Sequence, residues 1–181
     1  MNDKKVWNED TIGRVFGIID ETLYSMALCH EIRSSERNDQ VFDPYLRRFW
    51  ISISNNAILM SVIQWCKVFG SEHNNDTHYS HFVDTNHFKE HLDGIPYENI
   101  SESMRNVRNK FAAHEDPVEE RDKIPSFETA RKVMEAFYET VQEEYAIPTL
   151  PSVSGTYEAY QLQIRDCLKD CRIDWELNDE D

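Results

Sequence analysis

The sequence predicts an all-α fold: an up-down bundle of four to five helices with a C-terminal helical appendage. Three observations predict it. Apolar residues recur at three- and four-residue steps along most of the chain, the period of one helix face. Gly is only 5 and Pro only 6 of 181 residues, too little punctuation for a turn-rich β sandwich or a glycine-dependent nucleotide loop. Hydrophobic residues are 40% of the chain, so disorder is not expected. A domain of this length buries roughly 70% of its unfolded surface and needs no disulfide or metal staple.

Each element has its own signal. From Asn8 to Ser34, Ile12, Val15, Phe16, Ile19, Leu23, Met26 and Ala27 line one face. Arg33 to Gln40 is polar and reads as a loop. The second helix opens at Asp43-Pro44, a good N-cap followed by a residue suited to the first helical position. It runs unbroken to Phe69 and is closed by Gly70, expected to take a positive φ. Being long and mostly apolar, it is expected to be the central helix, with Phe49, Trp50, Trp65 and Phe69 as packing residues.

Ser71 to Asp84 is polar and irregular, and a short helix is expected from Asn86 to Leu92, stopped at Gly94. Ile100, Met104, Val107 and Phe111 mark a helix from Tyr97 to Ala113. After the acidic loop Glu115–Pro125, Ser126 caps a helix with the stripe Phe127, Ala130, Met134, Phe137, Val141 and Tyr145. These boundaries give a helical bundle over residues 1–147, a Pro/Ser/Gly linker at 148–156, and a C-terminal helix with an acidic tail at 157–181. In that last helix Tyr160, Ile164, Leu168 and Cys171 share a face.

Charge and compartment narrow the function. Lys plus Arg is 19 against Asp plus Glu 34, a formal net charge of −15. Such a balance disfavours a protein that coats nucleic acid, which needs clustered positive charge. The charged start MNDKKVWNED lacks the apolar core of a signal peptide, and no run of about 18 apolar residues suggests a membrane span. A cytoplasmic location, no membrane partner and four free thiols (Cys29, Cys66, Cys167, Cys171) are therefore expected.

The informative stretch is MRNVRNKFAAHED, Met104 to Asp116. Arg105, Arg108 and Lys110 form a local basic excess in an acidic protein, and His114 follows at the expected helix end. On a straight helix Arg108 and His114 diverge by roughly 120°. A long Arg side chain and a His at or past the helix end can reconcile them. Solvated arginines and a histidine at the helix C-terminus are the simpler account of the same residues.

Arg108-Asn109-Lys110-Phe111-Ala112-Ala113-His114 resembles the signature of the HEPN superfamily, in particular its abortive-infection-related branch. The resemblance extends over Asn8 to Tyr145, with the motif late in a helical bundle. It implies a metal-independent endoribonuclease, in phage defence or a toxin–antitoxin system, whose Arg-Asn-x4-His motifs meet at a homodimer interface. On that resemblance His114 is the general acid/base near the ribose 2′-OH, Arg108 holds the scissile phosphate, and Asn109 orients one of them. Arg105 and Lys110 are the accompanying RNA-binding candidates, with RNA contacting only this region. No cofactor and no catalytic metal are implied, and a protein partner is open.

Two other readings compete. A non-catalytic binding or regulatory module would keep the bundle and the dimer. A metal-binding protein would use the region His73 to His91, where His73, His78, His81, His87 and His91 lie within 19 residues, with Asp84 and Glu90 nearby. His87 and His91 share a helix face, but the intervening Phe-Lys-Glu is not the HExxH form. The loop histidines, His78 included, are expected at the surface, with no metal. Cys167 and Cys171 share a face as small hydrophobes, and Ser52, Ser54 and Ser61 lack a His–acid partner pattern.

Overall fold

The helical expectation holds. The computed structural model describes residues 9–37, 47–113, 125–147 and 149–170. Its helices are α1 (Glu9–Arg37), α2 (Arg47–Phe69), α3 (Thr85–His91), α4 (Tyr97–Ala113), α5 (Phe127–Tyr145) and α6 (Val153–Asp170), with a 3₁₀ turn at Tyr79–His81. No strand occurs among the described residues.

Side-chain contacts set the directions. Near the end of α1, Cys29 and Arg33 meet Ser54 early in α2, at 3.6 and 3.2 Å. Earlier in α1, Glu21 accepts from Gln64 near the end of α2 at 2.5 Å. The two helices are thus antiparallel. Val15, Ile19, Leu23 and Met26 of the apolar face read from the sequence are buried in one core with Ile58, Val62 and Trp65 of α2. α1 continues to Arg37, past the expected loop start, and its last turns are tied down by the Arg33–Ser54 bond.

α2 is central, as expected, but its apolar surface is not all covered. Trp65 and Phe69 are buried, Trp50 is half-buried, and Phe49 is 55% exposed. Phe49 therefore does not belong to the core. It leans edge-on against Trp50 at 5.3 Å, on the outer side of the helix that also carries exposed Met60. The Asp43-Pro44 start lies outside the described residues. Gly70 closes α2 for a different reason from the one expected. Its φ is not in the left-handed region; instead a Cβ there would sit 2.4 Å from the Cys66 carbonyl oxygen. The left-handed glycine is Gly94, φ 73°, after α3.

The polar stretch after α2 is a docked loop. Asn75 Nδ2 donates to the carbonyls of Lys67 and Ser71, at 2.8 and 3.0 Å, and Thr77 Oγ1 donates to Lys67 at 2.9 Å. These side chains satisfy carbonyls that the helix end leaves open. His78 is buried, not at the surface, with its ring 4.4 Å from Tyr79 and Nδ1 2.8 Å from Ser80 Oγ.

α5 inserts beside α2. Trp65 Nε1 donates to the Ala130 carbonyl at 3.4 Å, and Phe137 meets Phe69 edge-on at 5.7 Å. Ser126 caps it through Oγ to the Thr129 N–H, as its sequence implied.

α6 begins at Val153, so residues 153–156 are helical and not linker. Ser152 Oγ accepts from the Gly155 N–H at 3.0 Å, and Val153 is wholly buried. Val153, Tyr157, Ile164 and Leu168 belong to the same continuous core as α1. Glu31 of α1, buried, accepts from Arg165 Nε and Nη2 at 3.0 and 3.1 Å and from Gln161 Nε2 at 3.0 Å. On the α5 side, the Arg131 guanidinium lies 3.9 Å over the Tyr157 ring.

Two outcomes follow from these contacts. Phe69→Ala opens a cavity where Trp65, Tyr79, Phe88 and Phe137 converge. It should cost about 3–5 kcal/mol in denaturant unfolding; a loss below about 1 kcal/mol would mean that the cluster is not packed as described.

Burial lowers the His78 pKa, with Glu72 raising it and His81 lowering it as smaller influences. The folded protein therefore keeps His78 neutral at a pH where the unfolded chain protonates it. Its stability contribution is complete above the unfolded value of about 6.5 and is lost as pH falls through the lower folded value. Urea midpoints between about pH 5 and 7 should fall on acidification in the parent and show a flatter slope in His78→Gln. Parallel slopes would remove His78 as the cause.

Candidate functional site

The chemistry-bearing stretch lies on the last turns of α4, and α4 is placed by the end of α2. The Tyr97 hydroxyl donates to the Phe69 carbonyl at 2.9 Å, and Ser101 Oγ donates to the same oxygen at 3.4 Å. Tyr97 is half-buried against the core, and Ile100 and Met104 reach into it. α4 therefore packs against the end of α2, with its arginines near Cys66 in that helix's last turn.

Arg105 and Arg108 are one turn apart and half-exposed. Arg105 Nε donates to the Ser101 carbonyl at 3.3 Å. Arg108 donates through Nε and Nη2 to Asn109 Oδ1, at 3.2 and 3.0 Å. This forked bond fixes the guanidinium plane and leaves its other N–H groups unused by Asn109. Neither arginine forms an ion pair with a carboxylate among the described residues. Asn109 and Lys110 are exposed. His114, the residue after the last of α4, lies outside the described residues.

Behind the arginines sits Cys66. Burial pushes its thiol up to about 11, partly offset by the charges of Arg108 and Arg105. A thiol so raised is neutral at physiological pH and unsuited to nucleophilic chemistry. Cys29 is raised too, chiefly by burial, despite its bond to Ser54 and the charge of Arg33. Cys29, Cys66 and Cys167 are free, as expected, while Cys171 lies outside the described residues.

The histidine-rich region divides. His73 is exposed beside Asn74; His81 Nε2 lies 3.0 Å from the Asn75 carbonyl; His78 is internal. Asp84 is committed to capping α3, accepting from the Asn86 and His87 N–H groups at 2.8 and 3.2 Å. Glu90 is exposed. His87 and His91 have rings 5.1 Å apart and meet three carboxylates of α5. His87 Nε2 is 2.9 Å and His91 Nε2 3.4 Å from Glu143 Oε2. His87 Nδ1 is 3.3 Å from Glu144 Oε1, and His91 Nδ1 is 3.3 Å from Glu139 Oε2.

These glutamates were missed by the sequence reading. One signal was present: Glu139 and Glu143 repeat the four-residue spacing of His87 and His91. Nothing local to either stretch says that the two faces meet.

Among the described residues no helix is long and apolar enough to cross a membrane. No family model, no curated protein and no solved structure matches the chain.

Proposed function

We propose that the protein is a metal-independent endoribonuclease of HEPN type, acting through Arg108, Asn109 and His114. The observation that carries the proposal is the state of Arg108. It is half-exposed on the turn of α4 that leads to His114, oriented by Asn109 and not neutralised by a carboxylate among the described residues, in a chain of net charge −15. A guanidinium kept available in so acidic a protein suits an anionic ligand, and its free N–H groups match phosphate oxygens.

In this reading Arg108 holds the scissile phosphate and stabilises the charge that develops there. His114 removes the proton from the ribose 2′-OH and returns one to the leaving 5′ oxygen, a task suited to an imidazole. Asn109 keeps the Arg108 plane fixed. Arg105 and Lys110 extend the positive surface along the strand. The 2′-OH as nucleophile restricts the substrate to RNA.

A homodimer would bring two such motifs together, since an isologous interface places the same patch of both subunits side by side. Exposed Phe49 and Met60 on α2, 55% and 45% accessible, provide apolar surface for such a contact. Light scattering at micromolar concentration should give twice the chain mass of 21.4 kDa. Particles of 21.4 kDa alone would rule the composite site out.

Single-stranded RNA incubated with EDTA-treated protein should yield 2′,3′-cyclic phosphate and 5′-hydroxyl ends, with DNA uncut. His114→Ala and Arg108→Ala should each lower the rate by on the order of 10²–10⁴-fold. Exposed His73→Ala is the control and should cleave at the parental rate. His78→Ala is unsuitable because that ring is buried. Parental cleavage by His114→Ala would detach the activity from this motif. A folded parent that cuts no RNA would favour a non-catalytic module with the same anion-binding arginines.

A further inference from the structure

The His–Glu cluster between α3 and α5 lies on different helices from the α4 motif. We propose that His87, His91 and Glu143 bind one divalent transition-metal ion of the zinc type, with water in the fourth position. Three features of the geometry support it.

The first is convergence on one oxygen. Both Nε2 atoms face Glu143 Oε2, at 2.9 and 3.4 Å, and the three ligand atoms all lie within 4.8 Å of one another. Zinc bonds of about 2.0–2.1 Å at a tetrahedral angle place neighbouring ligand atoms about 3.3 Å apart. Two of the three separations are already close to that value. The remaining one closes by rotation of the imidazoles, which share one face of α3.

The second is the outer shell. Each imidazole presents its other nitrogen, Nδ1, to a separate carboxylate: His87 to Glu144 and His91 to Glu139, both at 3.3 Å. Behind His87, Glu144 can take the N–H at Nδ1 and leave the Nε2 lone pair for a metal, the arrangement that orients metal-bound histidines, and Glu139 stands at ion-pair distance behind His91. A proton on either Nε2 satisfies the same carboxylate oxygen, so a metal ion would bind there in competition with protons.

The third is charge and access. Three carboxylates face two imidazoles, in a protein already at −15. The Glu143 side chain is 58% exposed, so an ion can enter and exchange without unfolding the bundle. Nitrogen donors with one carboxylate favour zinc, cobalt, nickel or copper over magnesium or calcium. Occupied, the site would clip the seven-residue α3 to α5.

The full chain, stripped with EDTA and dialysed, is titrated with cobalt(II) chloride and followed by visible absorption, then with zinc chloride by calorimetry. One equivalent of cobalt should produce the intense d–d bands of a four-coordinate site, and zinc should displace it. Glu143→Gln and His91→Ala should weaken zinc binding by more than about 100-fold, while Glu139→Gln and Glu144→Gln should weaken it by about 10–100-fold. His73→Ala should bind as the parent does. Far-UV circular dichroism establishes that each variant is folded. Since Glu143 is largely exposed, Glu143→Gln is expected to be folded even if His91→Ala is not. Absence of cobalt bands, millimolar zinc affinity, or parental affinity in folded Glu143→Gln would each leave the cluster as ion pairs alone and overturn the proposal. RNA cleavage does not enter this readout, so the two proposals fail separately.

Discussion

Phe69 is the residue on which the arrangement of the other helices depends. Its ring is wholly buried and touches Trp65, Tyr79, Phe88 and Phe137, so α2, the 3₁₀ turn, α3 and α5 all meet on one side chain. Its carbonyl oxygen, freed because α2 ends there, takes the Tyr97 and Ser101 hydroxyls and anchors α4. Aromatic rings contribute the largest buried area per residue and prefer offset or edge contacts, so a cluster of them fixes angles as well as distances. The α4 motif and the α3–α5 histidine cluster are consequently placed by a single helix end.

At the other side of the molecule the same problem is solved with charge. Glu31 is buried on α1 and would be costly unpaired, so its two oxygens are filled by Arg165 and Gln161 of α6. The contact is directional where the surrounding apolar packing is not. It fixes which turn of α6 faces α1, and with Tyr157 beneath the Arg131 guanidinium it joins α6 to both α1 and α5. Charge is thereby divided by role: Arg165 is committed to the fold, whereas Arg105 and Arg108 are left to the surface.

The candidate site was unevenly legible. Arg105, Arg108, Asn109 and Lys110 stand within six consecutive residues on one helix, so their clustering needs only the helical period. His87 and His91 were visible as a pair for the same reason. Glu139, Glu143 and Glu144 were not, because they are about fifty residues away and α5 carries many acids with no local mark of which ones face inward. His78 misled in the opposite direction. It belongs to a polar stretch, yet Asn75 and Thr77 fold that stretch back onto α2 and press the ring against Tyr79.

By itself the sequence determined the all-α class, the positions of α3, α4 and α5, the Ser126 cap and most of the buried stripe, since each depends on periodicity and on side chains within one or two turns. Only the tertiary structure decided that Phe49 stays outside while Phe69 is central, that α6 starts at Val153 and joins the α1 core, and that three glutamates meet two histidines. Helical spacing says which residues share a face. It does not say which face has a neighbour, and that follows from how several helices divide a limited apolar surface among themselves.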